Sequence, residues 1–366
     1  MNSRRLIVAP EARTVMVAIC ADTREGVGLG SHRCPLWANS GNMQRTTSCP
    51  LTGTNQRRRA TIHTSSSTVH TAGKLGGQKM TSWTDRRQKF RAILNGVNCI
   101  RPASVFDPLS ARIAETLGFE IGLFAGSTAA LTILGSPDLV LLTATELAQQ
   151  AQRICRVTNM PLLVDGDHGY GNALNVARTI EELANVGVAA ATVEDTILPT
   201  PFGAVGTSTL ISLEEAVGKM RSAVEARPDK SFIVIGRTNA GATSFEDVIR
   251  RLTAYEAAGV DALFIVGLKR VSELSTISGA TTLPMILGNI PQELESTDLS
   301  PYRVRINLQG HLPIMAAIQS VYDTMRALRE GTAVSQIKNV ASGELLKSLT
   351  RAALYDEASR KYLSIQ

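Results

Sequence analysis

From about Trp83 onward the chain alternates short apolar runs, each stopped by glycine or a polar residue, with longer amphipathic stretches. This alternation restricts the fold more than any other feature, because strands separated by helices pair in parallel and need cover on both sides. Three segments repeat the theme in similar letters: LGFEIGLF at 117–124, VGVAAATV at 186–193 and AGVDALFI at 258–265. Each reads as a helix ended by glycine and followed within a few residues by a buried strand. The strand candidates are Ser104–Asp107, Ile121–Ala125, Pro161–Asp165, Ala190–Glu194, Phe232–Arg237, Ala262–Val266, Met285–Leu287 and Arg303–Asn307. Helical patterns include Leu109–Leu117, Thr145–Thr158, Ala173–Val186, Leu213–Ala226, Phe245–Ala258 and Leu312–Arg329. Eight strands suit a closed parallel barrel. A doubly wound sheet needs a glycine-rich phosphate turn after its first strand. No GxxxxGK[ST] occurs, and HGYGNA lacks the strand-turn-helix spacing of a dinucleotide site. The expected class is α/β, a (β/α)8 TIM barrel over residues 81–366, with additional C-terminal helices from about residue 331, for which Ala333–Leu363 is the material.

Charge is unevenly placed. Residues 1–80 carry 11 Lys and Arg against 3 Asp and Glu, whereas the rest carries 27 against 29. The net charge of +6 therefore belongs to the leader. A nucleic-acid partner is not expected, because basic side chains would have to line the folded surface. The leader is rich in Arg, Ser and Thr and has no sustained apolar period, so it reads as disordered or transit-like. Localisation is then cytoplasmic, or mitochondrial if the leader is a transit peptide. The alternative is that Met80 is the true start. No run of about 18 uncharged apolar residues marks a membrane span. Five scattered cysteines, Cys20, Cys34, Cys49, Cys99 and Cys155, form no zinc spacing and no disulfide framework, which suits a reducing compartment.

A parallel barrel carries its chemistry at the carboxyl ends of its strands. The residues there are Asp107, Gly126, Ser127, Asp165, Asp167, Glu194, Arg237, Asn239, Gly267, Asn289 and His311. Asp165 and Asp167 are two apart, so both can project from one side of a strand end, with Glu194 arriving from the next strand. Three such carboxylates repel unless a cation or protons neutralise them. A hard divalent ion with oxygen ligands, Mg²⁺ or Mn²⁺, meets that need. The bland alternative is that these acids cap helices or pair with Arg237. Arg237 has a fork suited to a carboxylate, or serves only as a salt bridge to Glu194 or Asp165. His311 can face the barrel mouth and donate a proton or hydrogen bond, or be structural. His168, beside the acids, reads as holding its loop together. Ser127 offers a hydroxyl and nearby N–H groups to an anion, or caps the next helix.

Together ASVFDPLSARIAETLGFE (103–120), AGST (125–128), VDGDHGYGN (164–172), TVEDT (192–196), GRTNA (236–240) and QGH (309–311) resemble the isocitrate lyase and phosphoenolpyruvate mutase superfamily, and within it the oxaloacetate-decarboxylating branch. The similarity spans about residues 86–330. It implies a β/α barrel whose last helix is exchanged with a neighbouring subunit, giving a homodimer or homotetramer. It also implies that Asp167 ligates the metal directly, that Asp165 and Glu194 act largely through metal-bound water, that Gly126 and Ser127 bind the substrate carboxylate, and that Arg237 and His311 contact the substrate. The loop LPTPFGAVGTST at 198–209 departs from the superfamily's lyases, which carry a cysteine there, and from its mutases, which carry a lysine. The implied activity is metal-dependent decarboxylation of a small α-keto diacid, oxaloacetate, to pyruvate and CO₂, without an organic cofactor. The rivals are a carbon-carbon lyase acting on a substituted malate, an oxaloacetate hydrolase of the same superfamily, and a catalytically silent barrel used for binding.

Overall fold

A computed structural model describes residues 80–364 apart from 205 and 207. The leader expected over residues 1–80 lies outside the described residues, Met80 aside. In chain order the elements are α1 (Trp83–Leu94), β1 (Ala103–Ser104), α2 (Pro108–Thr116), β2 (Gly122–Phe124), α3 (Gly126–Ala129) running into a π-helical turn (Ala130–Leu134), α4 (Ala144–Cys155), β3 (Leu162–Asp165), α5 (Ala173–Asn185), β4 (Ala190–Glu194), α6 (Leu213–Ala226), β5 (Ile233–Asn239), α7 (Phe245–Ala258), β6 (Ala262–Val266), α8 (Val271–Ala280), β7 (Met285–Gly288), α9 (Gln292–Glu295), β8 (Val304–Asn307), α10 (Leu312–Arg329), α11 (Gly343–Thr350) and α12 (Ala352–Leu363). All eight strands are parallel and follow chain order across one sheet. The sheet's two ends meet through a parallel bridge between Ile100, just ahead of β1, and Ile306 of β8. There the Ile100 amide donates to the Arg305 carbonyl and the Asn307 amide to that of Ile100.

Alternation along the strands separates two apolar layers. Leu163, Ala190, Ile233, Ile235, Phe264, Ile286 and Ile306 fill the interior, while Val164, Ala191, Val193, Val234 and Leu263 pack outward against the helices. The same parity points Asp165, Glu194 and Arg237 inward at the carboxyl end of the sheet. Helix α1, which the apolar pattern does not mark, closes the opposite end. Its Phe90 and Leu94 join the interior cluster beside residues that begin strands, including Ile121, Ile233 and Ala262. Buried Arg86 and Arg87 in the same helix donate to the carbonyls of Cys155 and Ala184, at the C-termini of α4 and α5, where the helix dipole favours a cation.

Two expectations need correction. The first strand ends at Ser104 rather than Asp107, because Asp107 is the N-cap of α2: its carboxylate accepts from the Ser110 amide at 2.7 Å, ahead of Pro108 at the helix start. Helix α8 is also absent from the predicted set, since VSELSTISGA is rich in β-branched and small residues that weaken helical periodicity. The ends of β4, β6, α6, α7 and α10 fall at the predicted residues.

Helix α10 is unusual. Of its 18 residues only Ile314 is buried, while Leu312, Met315, Ile318, Val321, Tyr322, Met325 and Leu328 are all exposed. The C-terminal helices lie against α2, with Leu349 buried, an ion pair between Arg351 and Glu115, and Arg112 donating to the Leu349 carbonyl. Among the described residues no helix is long and apolar enough to cross a membrane.

Candidate active site

The carboxyl ends of the strands surround a cavity of about 340 Å³, a size suited to a small ligand. Ser127, Asp165, Asp167, Glu194, Arg237, Asn289 and His311 all line it. Asp107, Asn239 and Gly267 do not: Asp107 caps α2, and the Asn239 side chain accepts from the Gly241 amide in the turn beneath Gly267.

Arg237 organises the acids. Its Nη1 donates to Asp165 at 2.5 Å, its Nε lies 3.0 Å from Glu194, and the guanidinium lies over the Phe264 ring, 5.0 Å from its centroid. The salt-bridge role considered for Arg237 is therefore real, and it is made to both acids at once. Burial would push the Asp165 carboxyl up, but Arg237, the Thr192 hydroxyl and the Asp167 amide hold it below the usual range. Glu194 is pushed up to about 7, by burial first and then by Asp165 and Asp195, against the pull of Arg237.

Asp167 reaches the cavity by a route other than strand alternation. The chain leaves β3 at Asp165, and Asp167 adopts a left-handed backbone with φ of 48°, a conformation that aspartate tolerates better than most residues. Glu194 donates its amide to the Asp167 carbonyl at 2.8 Å, which ties this turn to β4. The Asp167 carboxylate accepts from the Tyr170 hydroxyl at 3.3 Å and, among the described residues, has no basic side chain in ion-pair contact. Burial, followed by the charges of Asp165, Glu194 and Asp138, raises it well above the ordinary carboxylate range. Gly126 makes this placement possible: a Cβ there would lie 2.6 Å from Asp167 Oδ1. Ser127 lies within α3, whose N-cap is Ala125, so it does not cap the helix. His168 is buried, its carbonyl accepting from the buried Lys219 ammonium. Burial and then Lys219 lower its imidazole to about 4.

Two features escape a reading of strand ends. Asp138 sits on the loop after the π-helical turn and lines the same cavity as a fourth carboxylate, its carboxyl raised by burial and then by Asp165. The signal available was an acid flanked by apolar residues in SPDLVLL. The second is a buried layer behind the cavity, where Asp195 accepts from Tyr255 at 2.5 Å, Thr238 at 2.8 Å and Arg251 at 3.2 Å. Asp195 and Thr238 directly follow Glu194 and Arg237, so this outward network locks the two strand ends that hold the inward pair. Arg251 also donates to the Ile211 carbonyl. Together with the Thr196–Leu210 bridge, this anchors the stem of the 198–209 loop, from which Leu198 lines the cavity.

Among the described residues no three His, Cys, Asp or Glu side chains converge closely enough to hold a metal ion jointly. The arrangement is two acids, Asp165 and Glu194, engaged by Arg237, beside Asp167 and Asp138, which have no ion pair among the described residues.

Fold and site together define a parallel β/α barrel with an acid-lined mouth. The phosphoenolpyruvate phosphomutase family description matches residues 90–329, and the chain belongs to that family. It is 52% identical over 287 residues to an oxaloacetate decarboxylase of Rhodopseudomonas palustris, covering 78% of this chain and 99% of the relative. It is 53% identical over 274 residues to one from Bradyrhizobium diazoefficiens, covering 74% and 95%. Among solved structures, phosphonopyruvate hydrolase in complex with oxalate and Mg²⁺ superposes with a TM-score of 0.68 at 27% identity, covering 76% of this chain and 99% of the other. Oxaloacetate acetylhydrolase bound to 3,3-difluorooxalacetate gives 0.66 at 26%, covering 75% and 97%.

With no cation bound, ionised Asp167 is a net cost to the folded state. Its raised carboxyl makes that cost complete at high pH and removes it as the group protonates on acidification. In EDTA at pH 8, Asp167→Asn is expected to raise the melting temperature by about 2–4 °C, as about 1 kcal/mol does for a body of this size. The gain should shrink toward pH 5. A variant that melts lower at pH 8 contradicts this electrostatic picture.

Proposed function

We propose that this chain is a divalent-cation-dependent carbon-carbon lyase that decarboxylates oxaloacetate to pyruvate and CO₂. The observation that carries the reading is the buried Asp167 carboxylate, which among the described residues has no ion pair, in a cavity where Arg237 engages Asp165 and Glu194. It is supported by relatives at about half identity over nearly their full length that are named oxaloacetate decarboxylase.

The residues fit a hard cation. The candidate donors are all oxygens: Asp167 would hold the ion directly, with Asp165, Glu194 and Asp138 acting through its waters, which would suit Mg²⁺, an ion that keeps several waters; Mn²⁺ fits the same oxygen donors. Bound there, the ion would supply positive charge toward the carbonyl oxygen on which negative charge grows. The chain's residues do the rest. Ser127, with its hydroxyl and the N–H groups that open α3 after Gly126, receives the C1 carboxylate. Arg237, whose two ion pairs do not use Nη2, contacts the substrate with that edge, while the Phe264 ring packs against the guanidinium. These contacts hold the C3–C4 bond aligned with the carbonyl π-system. When that bond breaks, CO₂ leaves and the electron pair stays on the substrate as an enolate. C3 then takes up a proton relayed from solvent through a water that His311 holds, giving pyruvate. The 198–209 loop holds no cysteine and no lysine, so no side chain there is available for the acid step of a cysteine-bearing lyase.

The exposed apolar face of α10 supports exchange of this helix with a second copy, in a homodimer or homotetramer. Each large side chain on it contributes about 1.5–3 kcal/mol when fully buried.

Incubation of purified enzyme and Mg²⁺ with oxaloacetate should yield pyruvate and CO₂, and His311→Ala should lower the rate at least about tenfold, or about 1.4 kcal/mol of barrier. Acetate and oxalate as products would identify a hydrolase instead, and no turnover would leave a binding protein. In sedimentation experiments the wild type should be oligomeric, and the double substitution Ile318→Lys with Met325→Lys should shift it to monomer. A monomeric wild type rules out the exchange.

A further inference from the structure

The substrate-facing histidine has a partner outside the cavity. His311 immediately precedes α10 and lines the cavity, and its Nδ1 lies 2.9 Å from the Ser104 hydroxyl at the end of β1. Ser104 is 7% exposed and does not line the cavity. Among the described residues His311 is the only hydrogen-bond partner of that hydroxyl. Although it is the N-cap residue, His311 makes no side-chain cap bond to α10, so nothing in the helix competes for the ring.

A neutral imidazole carries one hydrogen, and the bond made by one nitrogen sets the state of the other. A buried hydroxyl with a single polar neighbour satisfies itself best by donating to that neighbour's lone pair. Donation from Ser104 into Nδ1 fixes the hydrogen on Nε2, the nitrogen left for the cavity. We infer that Ser104 is a positioning residue that holds His311 as the Nε2–H tautomer, so that the ring presents a donor to the oxygen-rich α-keto diacid. The opposite tautomer would present a lone pair to an anion and repel it. No proton leaves the ring in this role, because the hydrogen stays on Nε2 and is shared with a substrate oxygen. The inference rests on the proposed reaction, since it assigns how His311 faces that substrate.

The signal was legible only in three dimensions. Ser104 and His311 are 207 residues apart, and they meet because β1 is the strand beside β8 once the sheet closes on itself.

The direct test is nitrogen-15 NMR of the wild-type protein labelled at histidine, with the His311 signals assigned by their loss in His311→Ala. The expected spectrum has a protonated Nε2 and an unprotonated, hydrogen-bonded Nδ1. A protonated Nδ1 overturns the inference without any variant having to fold. Kinetically, Ser104→Ala should lower kcat/KM about tenfold, as expected for a misdirected hydrogen-bond donor to a charged group, and Ser104→Thr should restore most of the loss. In the His311→Ala background, Ser104→Ala should add nothing. An additive loss, or an unaffected Ser104→Ala enzyme alongside an impaired His311→Ala enzyme, overturns the positioning role and leaves the reaction standing. Full activity of His311→Ala instead rejects the role given to the histidine itself.

Discussion

One guanidinium sets the electrostatics of the barrel mouth. Arg237 projects inward from β5 and makes ion pairs to Asp165 on β3 and Glu194 on β4, spanning three adjacent strands of the sheet. One positive charge facing two acids leaves a net negative site, and Asp167 and Asp138 add to it on the same cavity. Burial prevents water from screening that excess, so Asp167 and Glu194 hold their protons more tightly than exposed acids do. A site of this kind is poised to exchange protons for a cation. The same repulsion would draw in the divalent ion proposed for this site.

Holding Arg237 in place requires structure on the outer side of the strands. Asp195 and Thr238 occupy the outward positions next to the inward pair; Thr238 donates to the Asp195 carboxylate, and so do Tyr255 and Arg251 of α7. Each strand end is thus fixed from both faces. Because Arg251 also holds the Ile211 carbonyl, the stem of the loop over the cavity is tied to the same helix. A change in α7 would therefore reach the site through two routes, the strand ends and the loop stem.

Much of this was readable in one dimension. The period-two alternation in LLVD, AATVE and IVIGRTN specifies which acids and which arginine face inward, and glycines after amphipathic stretches mark where helices stop. What stayed hidden depends on contacts made at long sequence range. Asp167 reaches the cavity through a left-handed turn and the space left by Gly126, not through strand parity. Asp107 looks like a strand-end acid and is a helix cap, because Ser110 lies three residues beyond it. Asp138 sits on an irregular loop with no periodicity to place it, and Ser104 has meaning only once β1 lies beside β8. The alternative that these acids pair with Arg237 is seen for two of them, with one guanidinium shared between Asp165 and Glu194.

Calorimetric titration of the protein with Mg²⁺, in buffers of different ionisation enthalpy, tests the exchange of protons for a cation most directly. The predicted result is net proton release near pH 6.5, where Glu194, its carboxyl at about 7, is still partly protonated and the raised Asp167 carboxyl acts in the same direction. Release should fall toward zero as the pH rises and these groups ionise on their own, and Asp167→Asn should show no binding. Binding without proton release at pH 6.5, or unchanged affinity in Asp167→Asn, would contradict the account.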